Sequence, residues 1–250
     1  MFNEIRVLDC ESLSSTSTRF KQDLPKIKEL TQFPLYFRAI KPWAILSALE
    51  SKTRNFDVVV YLDAGCELPN NWVARRRLTK LMLFSINQGS IAEQTLYPEY
   101  RYSRKSLLNK FGNESTLNNS GQVQSTWSMF KNSESNVKFM LEWIELSNPK
   151  YNFWQDPNEL ELKEEHAEFI ENRWDQSIFS LLYKSHSLPL KNTYWEYGGK
   201  FGRIRGLAIP IHATRNKTGT SKLPRFHTNN FLALLAVFLN FLFDKSRFLR

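Results

Sequence analysis

A carboxylate at the end of an apolar run is the first feature of this sequence that could do chemistry. Residues 57–63 read Asp-Val-Val-Val-Tyr-Leu-Asp, a β-branched pattern that predicts a strand buried on both faces and ending at Asp63. Open α/β sheets bind ligands at the carboxyl ends of their strands, so Asp63 could hold Mg²⁺ or Mn²⁺ against a diphosphate. Gly65 would let the backbone approach the phosphate closely. The alternative, in which the Asp63 side chain only caps a turn, stays open.

Three cations could neutralise such a diphosphate. Arg215 and Lys217 stand close together in the chain, and Lys41 lies near its other end. Arginine forks and lysine point charges both match phosphoryl oxygens well. A solvated basic loop would also explain Arg215 and Lys217, and Lys41 carries the same ambiguity.

The segments around these residues alternate between helical and strand patterns, which predicts an α/β fold with a mostly parallel, mixed sheet flanked by helices. Helix signals include Pro42 at a first helical position, Gly89 as a terminator and Asn148-Pro149 as a stop. The predicted strands are 5–8, 57–63 and 122–130, and the predicted helices are 42–49 (Pro42, Ile45, Leu46 and Leu49 buried), 72–86, 133–146 (Val137, Met140, Leu141 and Ile144 buried) and one beginning near Trp174.

The strand at 122–130 is half polar. Strand alternation places Val123, Trp127 and Met129 on one side, and Gln122, Gln124, Thr126 and Ser128 on the other. We expect the polar side to line a site.

The composition favours one folded domain that binds a phosphorylated small molecule. A chain of 250 residues with 42% hydrophobic residues can build one large core. The net charge of +9 attracts polyanions, but the basic residues are scattered, which disfavours nucleic acid as a partner. With two cysteines and no apolar leader, we expect reduced thiols and a cytoplasmic location.

The last segment of the chain differs from the rest. Residues 231–243 are almost wholly apolar and are followed by Lys245, Arg247 and Arg250. A bilayer-spanning helix needs about 20 residues, so this run predicts an interfacial anchor at the inner face of a membrane, a helix packed on the domain or a surface for a partner. We divide the chain into a domain over 1–225 and a tail over 226–250.

Four short motifs, in this order and spacing, resemble a family of bacterial and viral glycosyltransferases of the GT-A type, distantly similar to galactosyltransferases and glycogenin-like enzymes. The resemblance covers about residues 2–216. The motifs are AIKPW at 39–43, VYLDAG at 60–65, GQVQS at 121–125 and RWDQS at 173–177.

The resemblance implies a role for several residues. Asp63 matches the first metal-binding carboxylate, Asp175 and Gln176 match a motif beside the reacting carbon, and His212 matches a late metal ligand. Gln124 and Ser125 match the positions at which a strand of the related enzymes runs beside the donor sugar. The implied reaction is metal-dependent transfer from a nucleotide-sugar donor, expected to be a UDP-sugar, to a glycan or lipid-linked acceptor in surface polysaccharide synthesis, with retention favoured.

These residues also have structural explanations. The Asp175 carboxylate could stabilise a helix N-terminus, worth roughly 0.3–1 kcal/mol, and Gln176 could hydrogen-bond a neighbouring loop. Trp174 fits an apolar stripe, and His212 could be an ordinary structural histidine.

The sequence departs from the family at two places. Gly65 stands where a second metal-binding carboxylate is expected, with Glu67 as a substitute, and the resemblance begins at the family's second strand, so we expect the first strand to be missing. A shortened inactive product, a different mode of holding the nucleotide and a misassigned start all stay open. The alternative function is therefore a degenerate GT-A protein that binds nucleotide or glycan without transfer.

Overall fold

The computed structural model describes residues 36–51, 56–68, 70–112, 114–153, 155–192 and 210–213. Helices and strands both occur along this part of the chain, with three short helices in succession before the longest strand and a further run of helices after it. In chain order they are α1 (Tyr36–Leu49), β1 (Val58–Leu62), β2 (Cys66–Glu67), α2 (Trp72–Gln88), β3 (Ser90–Pro98), α3 (Glu99–Tyr102), α4 (Lys105–Lys110), α5 (Ser115–Asn119), β4 (Gly121–Lys131), α6 (Glu134–Leu146), a 3₁₀ turn (Pro149–Tyr151), α7 (Glu159–Leu162), α8 (Asp175–Ser185), β5 (Leu190–Asn192) and β6 (His212–Ala213).

The fold is α/β, with a four-stranded mixed sheet in the order β1-β4-β3-β5 flanked by helices. β4 runs antiparallel to both of its neighbours, and only β3 and β5 pair in parallel. The expectation of a mostly parallel sheet is therefore wrong for the described strands. β1, β3 and β5 nevertheless point the same way, so their carboxyl ends share one edge with the amino end of β4.

Two apolar clusters cover the two faces of this sheet. Successive side chains of a strand point to opposite faces. Val59 and Tyr61 of β1 accordingly pack against the larger cluster, while Val60 and Leu62 pack against the smaller one. The larger cluster includes Trp43, Ile45, Leu46, Phe139, Trp143, Ile178, Phe179 and Leu182, and the smaller one includes Leu78, Ile91, Trp127, Met129 and Ile211.

β1 is less buried than the sequence predicts. All five of its residues are partly exposed. The strand lies at one end of the described sheet order and pairs only with β4 there, so it lacks a second neighbouring strand within the described residues.

Helix α1 begins earlier than its proline suggests. It starts at Tyr36 and contains Pro42 in its interior instead of opening with it. Proline has no backbone N–H, so the bond that residue 42 would make to the carbonyl of residue 38 is missing. The buried face is the predicted one: Ile45, Leu46 and Leu49 are all buried, and they hold the helix on the core despite the lost bond.

The start and stop chemistry of the other long helices largely follows the sequence. Asn71 caps α2 by accepting from the Ala74 amide, and Gly89 ends it with a φ of 94°. Ser133 caps α6 by accepting from the Asn136 amide. The most buried face of α6 differs from the predicted one, because Val137, Leu141 and Ile144 are only partly buried. It comprises Asn136, Phe139, Met140, Trp143 and Leu146.

An irregularity in β4 overturns the predicted alternation. Ala92 of β3 pairs with Ser128 but the next residue, Glu93, pairs with Gln124, so the intervening β4 residues bulge. A bulge changes which side chains face each side of a sheet. As a result Val123 packs in the larger cluster and Trp127 in the smaller one, not together.

Several predictions fall on residues outside the described ranges: the strand at 5–8, the missing first strand, the boundary at 225 and the apolar tail. Within the described ranges, none of the helices is both long and apolar enough to cross a membrane.

Candidate functional site

The Asp63 carboxylate hydrogen-bonds other side chains and does not cap the turn that follows β1. Its backbone forms the turn after β1, donating to the Thr126 carbonyl at 2.8 Å and accepting from the Cys66 amide at 2.9 Å. Its carboxylate is bound elsewhere: Oδ1 accepts from the Tyr61 hydroxyl at 2.7 Å and Oδ2 accepts from Lys41 at 3.3 Å. The turn therefore does not account for the carboxylate.

Asp175 is the first residue of α8, and its carboxylate contacts two other elements. Oδ2 lies 2.8 Å from Lys41 Nζ and accepts from Ser125 Oγ at 3.0 Å. The preceding residue, Trp174, has a φ of 46° and a ψ of −109°, a conformation that non-glycine residues rarely adopt. Backbone strain of this kind is concentrated at functional sites, and here it fixes the direction in which Asp175 enters the helix.

Lys41 of α1 joins these groups into one cluster. Its ammonium donates to Ser125 Oγ at 3.0 Å and lies 3.5 Å from the Ser125 carbonyl, in addition to its two carboxylate contacts. Lys41, Asp63, Ser125 and Asp175 are hereafter called the lysine cluster. Asp63 and Asp175, far apart in sequence, thus meet at one atom, Lys41 Nζ, beside the carboxyl end of β1.

Solvent reaches the members of this cluster unequally. The Asp63 side chain is 32% exposed, whereas those of Lys41 and Asp175 are 14% and 12% exposed. A ligand would therefore meet Asp63 first.

The cluster is built to hold a charged lysine. Burial lowers the pKa of Lys41, but the charges of Asp175 and Asp63 and their hydrogen bonds outweigh it, so the pKa lies above its ordinary value. Burial and the Asp63 charge both raise the pKa of Tyr61, which therefore stays a neutral hydrogen-bond donor. Tyr61 was not among the predicted site residues, although strand periodicity places it on the same face as Asp63.

Gln176 lies beside the lysine cluster but is engaged in a different network. Its amide donates to Gln122 Oε1 at 2.8 Å, and Gln122 Nε2 in turn donates to the Tyr102 carbonyl at 3.1 Å and to Ser103 Oγ at 3.0 Å. Gln122 is fully buried. This chain of amides fixes the first turn of α8 against β4, which makes Gln176 a positioning residue for Asp175 in the described arrangement.

Gln124 lies apart from the lysine cluster, although it precedes Ser125. Its amide donates to the buried carboxylate of Glu93, which also accepts from Trp127 Nε1 at 2.9 Å. Trp127 belongs to the smaller apolar cluster, on the sheet face opposite α8. The structure thus brings Ser125, but not Gln124, to Asp175. Glu93 was missed because no motif marks a buried carboxylate.

The remaining predicted residues lie partly outside the described ranges. Glu67 and His212 are opposite each other in the antiparallel pair of β2 and β6, so the backbone brings these two predicted metal ligands together. Arg215 and Lys217 fall outside the described residues.

The described side chains do not form a divalent-metal site as they stand. Among them, no group of three or more His, Cys, Asp or Glu residues is close enough to hold a metal ion. Asp63 and Asp175 supply suitable oxygens, but the Lys41 ammonium already lies between them. The described donors therefore fit a monovalent ammonium, and we assign no step to a metal.

Cys66 offers a titratable reporter of this site. Burial and the neighbouring Asp63 charge raise the pKa of its thiol from 9.0 to about 12. In a Cys10→Ser background, we expect alkylation of native Cys66 by iodoacetamide at pH 8 to be at least about 30-fold slower than in the urea-unfolded chain, because only the thiolate reacts and the greater nucleophilicity of a more basic thiolate offsets only part of its smaller population. The native rate should continue to rise above pH 10, whereas the unfolded rate levels off.

The Asp63→Asn variant is the control for this experiment. Removing the carboxylate charge lowers the pKa of the Cys66 thiol and speeds native alkylation. Equal rates in the native and unfolded chains would contradict the described environment of Cys66.

Comparisons of this chain with protein-family models, with curated proteins and with solved structures find no match.

Proposed function

We propose that this chain is a glycosyltransferase with a GT-A-like fold, which moves a sugar from a nucleotide-sugar donor to a glycan or lipid-linked acceptor. One observation carries the proposal. Asp63 and Asp175, from two motifs that resemble those of such enzymes, converge on Lys41 at the sheet edge shared by the carboxyl ends of β1, β3 and β5. Open α/β sheets bind their ligands at such an edge.

The roles proposed for the two carboxylates follow from their surroundings. Positive charge develops at the anomeric carbon of a glycosyl donor as its bond to the leaving group breaks. Asp175, held rigidly by Lys41 and Ser125, supplies a fixed negative charge to stabilise it. Asp63, the most exposed of the three charged members, accepts hydrogen bonds from sugar hydroxyls.

In the proposed reaction the acceptor oxygen forms a bond to the anomeric carbon, and the bond from that carbon to the diphosphate oxygen breaks. The acceptor proton leaves with the diphosphate, whose charge needs cations. Arg215 and Lys217 are the proposed partners for it, because their side chains match phosphoryl oxygens.

The experiment that tests this function is a donor screen. The purified chain is incubated with a panel of nucleotide sugars and with glycan or lipid-linked acceptors, and release of nucleoside diphosphate is measured. We expect one donor, of the UDP-sugar class, to be consumed above the rate of a chain carrying both Asp63→Asn and Asp175→Asn. Equal rates across the panel for both chains would reject transfer.

A degenerate, binding-only protein is the second candidate, favoured by Gly65 at the position of the second carboxylate and by the ion pairs that already engage Asp63 and Asp175. A nucleotide that binds only the native state must raise its melting temperature. Stabilisation by a nucleotide without turnover of any donor would identify this second function.

We also propose a peripheral location at the inner face of a membrane. It rests on the apolar and basic tail, which lies outside the described residues.

A further inference from the structure

Four oxygen atoms surround a single cationic centre in the lysine cluster. Lys41 Nζ lies 2.8 Å from Asp175 Oδ2, 3.0 Å from Ser125 Oγ, 3.3 Å from Asp63 Oδ2 and 3.5 Å from the Ser125 carbonyl oxygen. These atoms come from β4, from the turn after β1 and from α8, so no single element imposes the arrangement. It is an oxygen cage with an ammonium group inside.

We infer that Lys41 is the resident cation of this site and takes the place that a divalent metal ion would otherwise occupy between Asp63 and Asp175. The inference rests on the proposed function in one respect: that function is the reason to expect a metal at this site. The distances around Lys41 Nζ do not depend on the proposed function.

The chemistry of the cage explains why the two cations would compete. Hard divalent ions select carboxylate, hydroxyl and carbonyl oxygens, which are the four atoms present, at about 2.0–2.6 Å. A metal at that distance from both carboxylates would lie against the ammonium and be repelled by it. Because Lys41 is part of α1, whose residues Trp43, Ile45 and Leu46 are buried in the core, its ammonium is always present at high local concentration.

The net charge of the lysine cluster is also consistent with Lys41 acting as its resident cation. Two carboxylates and one ammonium leave one net negative charge, whereas the same carboxylates without the lysine would leave two. Gly65 adds no further carboxylate where the related enzymes are expected to have one. Removing the lysine charge should therefore create a divalent-cation site between Asp63 and Asp175, where the described residues form none.

The test is thermal unfolding with and without MnCl₂. For the unmodified chain, we expect no change in melting temperature. For Lys41→Met, we expect a rise of about 3–6 °C at a metal concentration ten times the Kd. The double variant Lys41→Met with Asp63→Asn should lose that rise, because it removes one of the two carboxylates.

Two results of the thermal test would overturn the inference. One is a manganese-dependent rise in the unmodified chain that Asp63→Asn removes, and the other is a folded Lys41→Met variant that does not respond to manganese. If Lys41→Met fails to fold, the test is made on the unmodified chain instead, by measuring the electron paramagnetic resonance signal of free Mn²⁺, which falls when the ion is bound. We expect the unmodified chain to leave it undiminished, and a loss of signal that depends on Asp63 would refute the inference.

The donor screen keeps this inference separate from the proposed function. Transfer that persists in EDTA supports both. Transfer that requires added metal, in a chain whose Mn²⁺ binding depends on Asp63, overturns the inference and leaves the function standing. If no donor is consumed, the function fails and the manganese measurements still decide the role of Lys41.

Discussion

Asp175→Asn is expected to lower the rate of sugar transfer about 100- to 1,000-fold, the usual cost of removing one fixed charge that stabilises a transition state. Asparagine keeps the shape of the side chain and can still accept from Ser125. What it removes is the negative charge beside the reacting carbon and half of the counter-charge of Lys41. The measurement is kcat for the donor found in the screen.

Asp156→Asn is the matched control, because Asp156 is exposed. It should leave kcat within about twofold, since an isolated surface charge contributes little. Circular dichroism and the melting temperature show whether Asp175→Asn has kept its fold. A folded Asp175→Asn chain as active as the control would remove Asp175 from the proposed mechanism.

Local sequence patterns predict part of this site. The strand ending at Asp63 and the helix beginning near Trp174 could be predicted, because periodicity and cap chemistry are local properties. The two carboxylates meet through Lys41 Nζ, against which both lie. Local patterns do not predict that meeting, because it depends on the strand order and on the bulge in β4.

The contacts that complete the site depend on tertiary packing. Lys41 lies near a proline that predicts a helix start, yet the helix begins six residues earlier because its apolar face is held on the core. The bulge in β4, which turns Ser125 towards Asp175 and Gln124 towards Glu93, depends on pairing with β3.

β3 itself was not predicted, for a physical reason. Its sequence, SIAEQTLYP, mixes apolar and polar residues without a strict alternation. Its buried polar side chains find partners across strands and helices: Ser90 with Tyr183, Glu93 with Trp127, and Thr95 with the Gln122 carbonyl. Hydrogen bonds of this kind make a central strand from residues whose hydrophobicity alone would not place them there.

A second buried ion pair holds the far end of α8, and it carries the largest stability effect we expect. Lys184 Nζ lies 2.6 Å from Glu99 Oε1, with side chains 7% and 0% exposed. Ser103 Oγ also donates to this carboxylate at 2.7 Å, as does Ser180, and Lys184 donates to Ser120 Oγ at 2.8 Å. The pair therefore joins the last turn of α8 to α3 and to the start of β4.

Lys184→Met should lower the free energy of unfolding by about 3–5 kcal/mol, because it leaves the Glu99 carboxylate buried without its counter-ion. The cost of an unpaired buried charge exceeds anything that the apolar methionine returns by packing. In a domain of this size we expect the melting temperature to fall by roughly 10 °C. Calorimetry and denaturant unfolding measure both quantities.

Two further variants separate the buried charge from a general effect of losing a lysine. Lys138→Met breaks the ion pair between Lys138 and Glu134, in which the two side chains are 73% and 82% exposed. It should change the free energy of unfolding by less than about 1 kcal/mol. Adding Glu99→Gln to Lys184→Met replaces the stranded carboxylate by a neutral amide that can still bond Ser103, so part of the stability should return. If Lys184→Met costs no more than Lys138→Met, the buried pair does not stabilise α8. The position of Asp175 at the other end of that helix would then depend on its own contacts with Lys41 and Ser125, on the Gln176–Gln122 contact and on the apolar face.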